Sequence, residues 1–248
     1  MSAAAPPATR VRAQAAFETR TLLTNGEQLL VSVLLPALAL VGLATASVPD
    51  LGSGRRIDLA VPGVLALAVV STAFTGQAIA TGFDRRYGLL RLLGVTPLGP
   101  RGLLAGKAVA VLSVIAVQTV LLGGLGLALG WRPHWSGLPA ALLLMVLGAW
   151  AFVGIALLLA ARLRSEGVLA LANLIWVLLL LGGGLILPTD RLPAAVRGVV
   201  RLLPSGALGD GLRAALAGSG SVWLPLLVLL VWSLACSVVL SHVFRWTD

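Results

Sequence analysis

Phe83 to Lys107 reads FDRRYGLLRLLGVTPLGPRGLLAGK, and the fold follows from its position between two long apolar runs. It is the most basic segment of the chain and holds the only lysine, Lys107. Around it the composition is decisive. Hydrophobic residues make up 58% of the chain and charged residues 11%, whereas a soluble domain carries about 25% charged residues. Mean hydropathy is +1.01. These values describe an integral membrane protein with no room for a soluble catalytic domain. The net charge of +9 would suggest nucleic acid in a soluble chain. Here basic loops meet anionic headgroups and set topology, so the lipid bilayer is the expected partner and nucleic acid is not.

A bilayer core of about 30 Å needs about 20 helical residues. Uncharged runs of that size predict six transmembrane helices over 29–48, 59–83, 108–131, 138–161, 167–187 and 222–244. The fold class is therefore an all-α membrane protein. Residues 1–9, small and containing Pro6 and Pro7, read as a disordered N-terminus. Residues 10–248 read as one transmembrane domain. In Arg10 to Gln28 the residues Val11, Ala15, Thr19 and Leu22 share a helical stripe among charges, which predicts an N-terminal interfacial helix over 10–28. Between the fifth and sixth spans, Pro193 opens a helix and Pro204 stops it. Ser205 then caps a second helix. Both are apolar and too short to span, so 190–217 reads as a re-entrant helix pair.

Six spans put both termini on one side. With the N-terminus inside, eleven of the 18 basic residues fall in inside segments, including Arg85, Arg86, Arg91, Arg101 and Lys107, and seven outside. Cytoplasmic termini follow from the positive-inside rule. Trp131, Trp135, Trp223 and Trp246 lie near span ends, where interfacial aromatics belong.

The chain offers little chemistry. The predicted spans hold no Asp, Glu, Lys or Arg, which argues against an ion-coupled secondary transporter. Thr75, Gln77, Gln118 and Asn173 are polar positions within spans, read either as interhelical hydrogen bonds or as the lining of a substrate path. His134 and His242 have no partner at metal-ligand spacing, and Cys236 stands alone. No catalytic, metal or cofactor site is expected. Gly102 to Lys107 is superficially like a phosphate-binding loop, but Arg101 stands where Gly is needed and Ala108 where Ser or Thr is needed. Any dependence on ATP must then come from another chain.

Gly88, Leu89, Leu90, Arg91, Leu92 and Leu93, then Thr96-Pro97, then Gly106-Lys107 opening a span, resemble the ABC-2 type transporter permeases. The helix before the first span and the segment Leu187 to Leu216 are similar to that family too. One departure is Asp84, followed by Arg85, Arg86 and Tyr87, where family members often carry Glu before the glycine turn. The resemblance implies the permease subunit of a bacterial ATP-binding cassette exporter in the plasma membrane, of the drug-efflux-like branch, moving an apolar or amphipathic drug, lipid or polyketide-like substrate. It implies a second permease copy or related permease chain, and two ATP-binding subunits that carry ATP and Mg. It also implies a cytoplasmic coupling helix between spans two and three. The docking residues are then Asp84, Arg85, Arg86, Tyr87, Gly88, Leu89, Leu90, Arg91, Leu92, Leu93, Thr96 and Pro97, with Tyr87, Leu90 and Leu93 filling a groove of the ATPase. A non-transporting membrane assembly or cofactor-maturation factor using the same fold is the alternative.

Overall fold

The computed structural model describes residues 5–24, 26–46, 50–51, 54–218 and 220–243. Among them the regular structure is helical, without strands. α1 spans Pro7–Thr24 and α2 Gly26–Thr45. α3 spans Arg56–Val70, passes through a π-helical turn at Ser71–Gly76, and continues as α4, Gln77–Arg86. α5, Leu89–Gly94, is a single short helix, and α6 runs from Gly99 to Ala128. α7 is Leu138–Ala160, α8 Ser165–Gly182, α9 Ala194–Leu202, α10 Pro204–Ala217 and α11 Trp223–Val243.

Five of these stretches among the described residues are long and apolar enough to cross a membrane: Arg56–Arg86, Gly99–Ala128, Trp135–Ala160, Ser165–Gly182 and Trp223–His242. The first expected span, 29–48, falls on α2, whose described apolar part, Ser32–Thr45, is shorter than a crossing. Residues 47–48 lie outside the described residues, as do 1–4, 25, 244 and Trp246.

The expected boundaries need correction where charge was taken to end a helix. Residues 7–9, assigned to a disordered tail, form the first turn of α1. The helix expected over 10–28 ends at Thr24, and 26–28 already belong to α2. The second span lengthens from 59–83 to Arg56–Arg86. The third begins at Gly99 instead of 108 and ends at Ala128, so Trp131 lies beyond it, packed and buried. At about 1.5 Å per residue these two helices measure about 45 Å, longer than the hydrocarbon core of about 30 Å. A helix projecting from the bilayer can carry charge, so a charge-free criterion truncates it. The fifth helix stops at Gly182, leaving 183–187 irregular.

Contacts between helix ends fix which ends lie together. At one end Arg85 donates to the Ala160 carbonyl at 3.2 Å, Arg86 pairs with Glu166 at 2.7 Å, and Arg101 reaches Ser241 at 3.4 Å. At the other, Arg191 pairs with Asp50 at 2.9 Å, the Arg132 amide donates to Asp58 at 3.2 Å, and the His134 amide donates to the Leu216 carbonyl at 2.7 Å. The main helices therefore alternate in direction. α3 is central and almost wholly buried, packing on α2, α6, α7 and α10, while α8 lies at the edge.

The helix pair expected over 190–217 is present as α9 and α10. α10 is buried along nearly its whole length against α3, α7 and α11. Its anchor is Arg213, which is 4% exposed. Arg213 donates to the carbonyls of Gly184, Leu185 and Ile186, satisfying backbone freed where α8 unwinds, and pairs with Asp210 at 3.2 Å. Asp210 in turn accepts from the amide and hydroxyl of Thr189. This seat leaves no room at Gly209, where a methyl group would strike the Gly184 carbonyl oxygen. Gly209→Ala is expected to lower stability by about 2 kcal/mol, the usual cost of overpacking, and to lower the unfolding temperature in detergent. Gly124→Ala, where a methyl group meets open space, is expected to leave it equal or higher.

Candidate functional site

Two regions hold the polar residues that sequence singled out. The first is the bundle end where α4 turns into α5. α4 finishes on Asp84, Arg85 and Arg86, and Tyr87 stacks on Phe83 with ring centroids 6.2 Å apart. Gly88 has φ +76°, a left-handed conformation that glycine adopts without steric cost, and it reverses the chain into α5. Leu90, 2% exposed, plugs α5 into the core, with Leu93 packed beside it. The outward surface is Tyr87, Arg91, Leu92, Val95, Thr96 and Pro97, with Tyr87 and Val95 78% and 87% exposed.

This corrects the expected docking surface. Leu90 and Leu93 face inward and are not free to fill a partner's groove. Arg85 and Arg86 are held by the end of α7 and the start of α8. Asp84 belongs to an internal cluster. Sequence missed Val95, because a single six-residue helix preceded by a glycine reversal has no periodicity long enough to reveal its outward face.

That internal cluster centres on Lys107, 1% exposed in the third turn of α6. Its ammonium lies 2.8 Å from Glu18 of α1 and 3.2 Å from Asp84 of α4. Gln14 donates to Glu18 at 3.0 Å from one turn earlier on α1. Gly106 permits this approach, since a side chain there would meet Gln14. One cation thus ties α1, α4 and α6 together. The apparent phosphate-loop lysine has its donors directed at two carboxylates of its own chain.

The second region is a lateral groove of about 1140 Å³ between α2 and α8, floored by the π-helical turn. Thr75, Gln77 and Asn173 line it with Ser71, Thr72 and Trp176, among apolar residues such as Leu35, Leu67 and Leu180. Trp176 donates to Ser71 at 2.8 Å, tying α8 to the turn. The Thr75 hydroxyl and Gln77 carbonyl oxygen are buried without a hydrogen-bond partner among the described residues. Gln118 does not line the groove. It is 1% exposed and bonds to Thr72 and to the Ser32 carbonyl, both at 3.0 Å, joining α6 to the turn and to α2. Its role is interhelical, as a buried amide between helices should be.

The family model for ABC-2 family transporter proteins matches residues 28–241, most of the chain. The chain belongs to the ABC-2 transporter family. It is also 23% identical over 168 residues to a Bacillus subtilis (strain 168) protein named "Putative transport permease YvfS", a match covering 65% of this chain and 66%, just under two thirds, of that one. The family match and the apolar helices make this chain a multi-pass membrane protein.

Within this ABC-2 family member the predicted residues divide cleanly. Tyr87, Gly88, Arg91, Leu92, Thr96 and Pro97 form one turn and ridge, whereas Asp84, Arg85, Arg86 and Leu90 hold that ridge to the bundle. Glu18 is the residue sequence reasoning passed over. Its only signal was its place on the stripe of Val11 and Ala15, a carboxylate on a face otherwise meant for burial. Breaking a buried ion pair by removing one partner costs about 3–5 kcal/mol. Lys107→Met is therefore expected to destabilise strongly, and adding Glu18→Gln and Asp84→Asn should recover most of the loss. Thermal unfolding of the three-helix junction in detergent measures both.

Proposed function

We propose that this chain is the membrane-spanning subunit of an ATP-driven exporter, energised by a separate ATP-binding subunit that docks on the α4–α5 ridge. The observation that carries the reading is that ridge. Tyr87, Leu92 and Val95 stand exposed beside the basic Arg91 on an element that Leu90 and Gly88 hold fixed. Apolar side chains flanked by an arginine suit a protein groove with an acidic rim. ATP and Mg belong to the docked subunit, two copies of which would serve a permease dimer.

The ridge end faces the cytoplasm of a bacterial plasma membrane in this reading, with both termini on the same side. Its exposed arginines support that orientation. The groove between α2 and α8 is the substrate path, and a second permease copy, identical or related, closes it. Leu35 lines the groove, and Leu38 of α2 and Leu178 and Leu181 of α8, on the two helices that bound it, are exposed. A lining without charged residues favours an apolar or amphipathic cargo.

The test is co-expression with the ATP-binding subunit. Leu92→Asp with Val95→Asp should reduce co-purification and permease-stimulated ATP hydrolysis at least tenfold while leaving the unfolding temperature unchanged. Undiminished association would overturn the docking role. For orientation, a cysteine replacing Arg91 in a Cys236→Ala background should react with impermeant reagents only after the cytoplasmic face is opened. Labelling of intact cells would reverse the assignment.

A further inference from the structure

A second polar cavity, of about 330 Å³, opens where α1 and α6 begin. Arg10 and Arg101 line it, with Pro7, Val11, Pro97 and Gly102. Neither arginine meets a carboxylate among the described residues. The nearest acid on α1, Glu18, is engaged by Lys107. The Arg10 Nε is buried without a hydrogen-bond partner, and Arg101 has one long contact, to Ser241 at 3.4 Å. Two guanidiniums in one cavity repel each other, and an anion between them removes that cost.

The backbone adds to the same field. Val11 packs near Gly102, Gln14 near Gly106, and Glu18 bonds Lys107, so α1 and α6 run alongside in the same direction. Both helix N-termini therefore point at this cavity, and no side chain caps that of α6. The positive ends of the two helix dipoles meet the two arginines. Gly102 lets Leu98 pack closely at the cavity wall, since a side chain there would strike it.

Depth decides what kind of anion arrives. From Lys107 to the far end of α6 at Ala128 is 22 residues, about 33 Å of helix, which matches a hydrocarbon core of about 30 Å. Arg101 lies six residues before Lys107, about 9 Å further out, at the level of lipid headgroups. Phe17, 57% exposed, stands two turns further along α1 from Arg10 and on the same face, deeper towards the hydrocarbon, where acyl chains can take it. We infer that this cavity binds the phosphate of an anionic membrane lipid, clamped between Arg10 and Arg101 at the shared start of α1 and α6. Guanidinium pairs recognise phosphate oxygens through paired N–H donors. The bound lipid joins the junction that Lys107 holds from within.

The full chain, purified in detergent without phosphate, is titrated with phosphatidylglycerol or phosphatidylcholine and read by native mass spectrometry. Phosphatidylglycerol should bind about tenfold more tightly. Arg10→Gln with Arg101→Gln should abolish that preference, while Arg12→Gln with Arg20→Gln, which removes the same charge from exposed positions on α1, should preserve it. If the double variant unfolds, Arg101→Gln alone decides, since its side chain is exposed; it should lower the preference at least threefold. Equal loss in both double variants would mean diffuse attraction to charge and overturn the site. So would the absence of any preference, or displacement of the lipid by millimolar inorganic phosphate, which would identify a free-ion site instead.

Discussion

Lys107 is the constraint on which one end of the molecule depends. It is nearly inaccessible, yet it carries a full charge that burial would make prohibitively costly without partners. Glu18 and Asp84 supply them from two other helices. α1 is consequently tied to the start of α6, and the end of α4 is set at a fixed height beside both. The reversal at Gly88 then places α5, with Leu90 as its plug, on the surface next to the cluster. The outward ridge of Tyr87, Arg91, Leu92 and Val95 is rigid because what lies behind it is ionic and closely packed.

The opposite end solves a related problem with different chemistry. α8 unwinds after Gly182, and its carbonyls would be orphaned inside an apolar bundle. Arg213 fills that need from α10, and Asp210 and Thr189 complete the arrangement. A short helix is thereby held deep among α3, α7 and α11. Between these two polar seats, Gln118 bonds to Thr72 and Ser32, and Trp176 to Ser71, at or beside the π-helical turn where the groove opens. Away from it, Trp150 donates to Ser237 and Ser233 to the Leu147 carbonyl, joining α7 to α11. The groove thus lies between two polar, closely packed ends.

The apolar runs of the second, third, fourth and sixth spans were readable because twenty uncharged residues admit few alternatives to a membrane helix. So was the pairing of short helices around Pro204. The helix ends were misread wherever a helix continues past the bilayer into charged sequence, as at Asp84–Arg86 and Gly99–Lys107. The turn and short helix at Gly88–Gly94 were located in sequence, but which of their faces is buried was not. Arg85, Arg86 and Leu90 looked available because one-dimensional reading cannot see that Ala160, Glu166 and the core claim them. Gln118 looked like a path residue for the same reason.

Composition and run length alone determined that this chain is a helical membrane protein, where most of its helices lie, and that its basic loop between the second and third spans is set apart. Those properties depend on the transfer of side chains and backbone between water and lipid, a local quantity that each segment carries by itself. The tertiary structure decided which polar groups are spent on one another. Lys107 meets Glu18 across 89 positions and Arg213 meets Gly184 across 29, and no local rule predicts such pairings. What those pairings leave over is the Tyr87–Val95 ridge, the groove at the π-helical turn and the arginine pair at the start of α1 and α6.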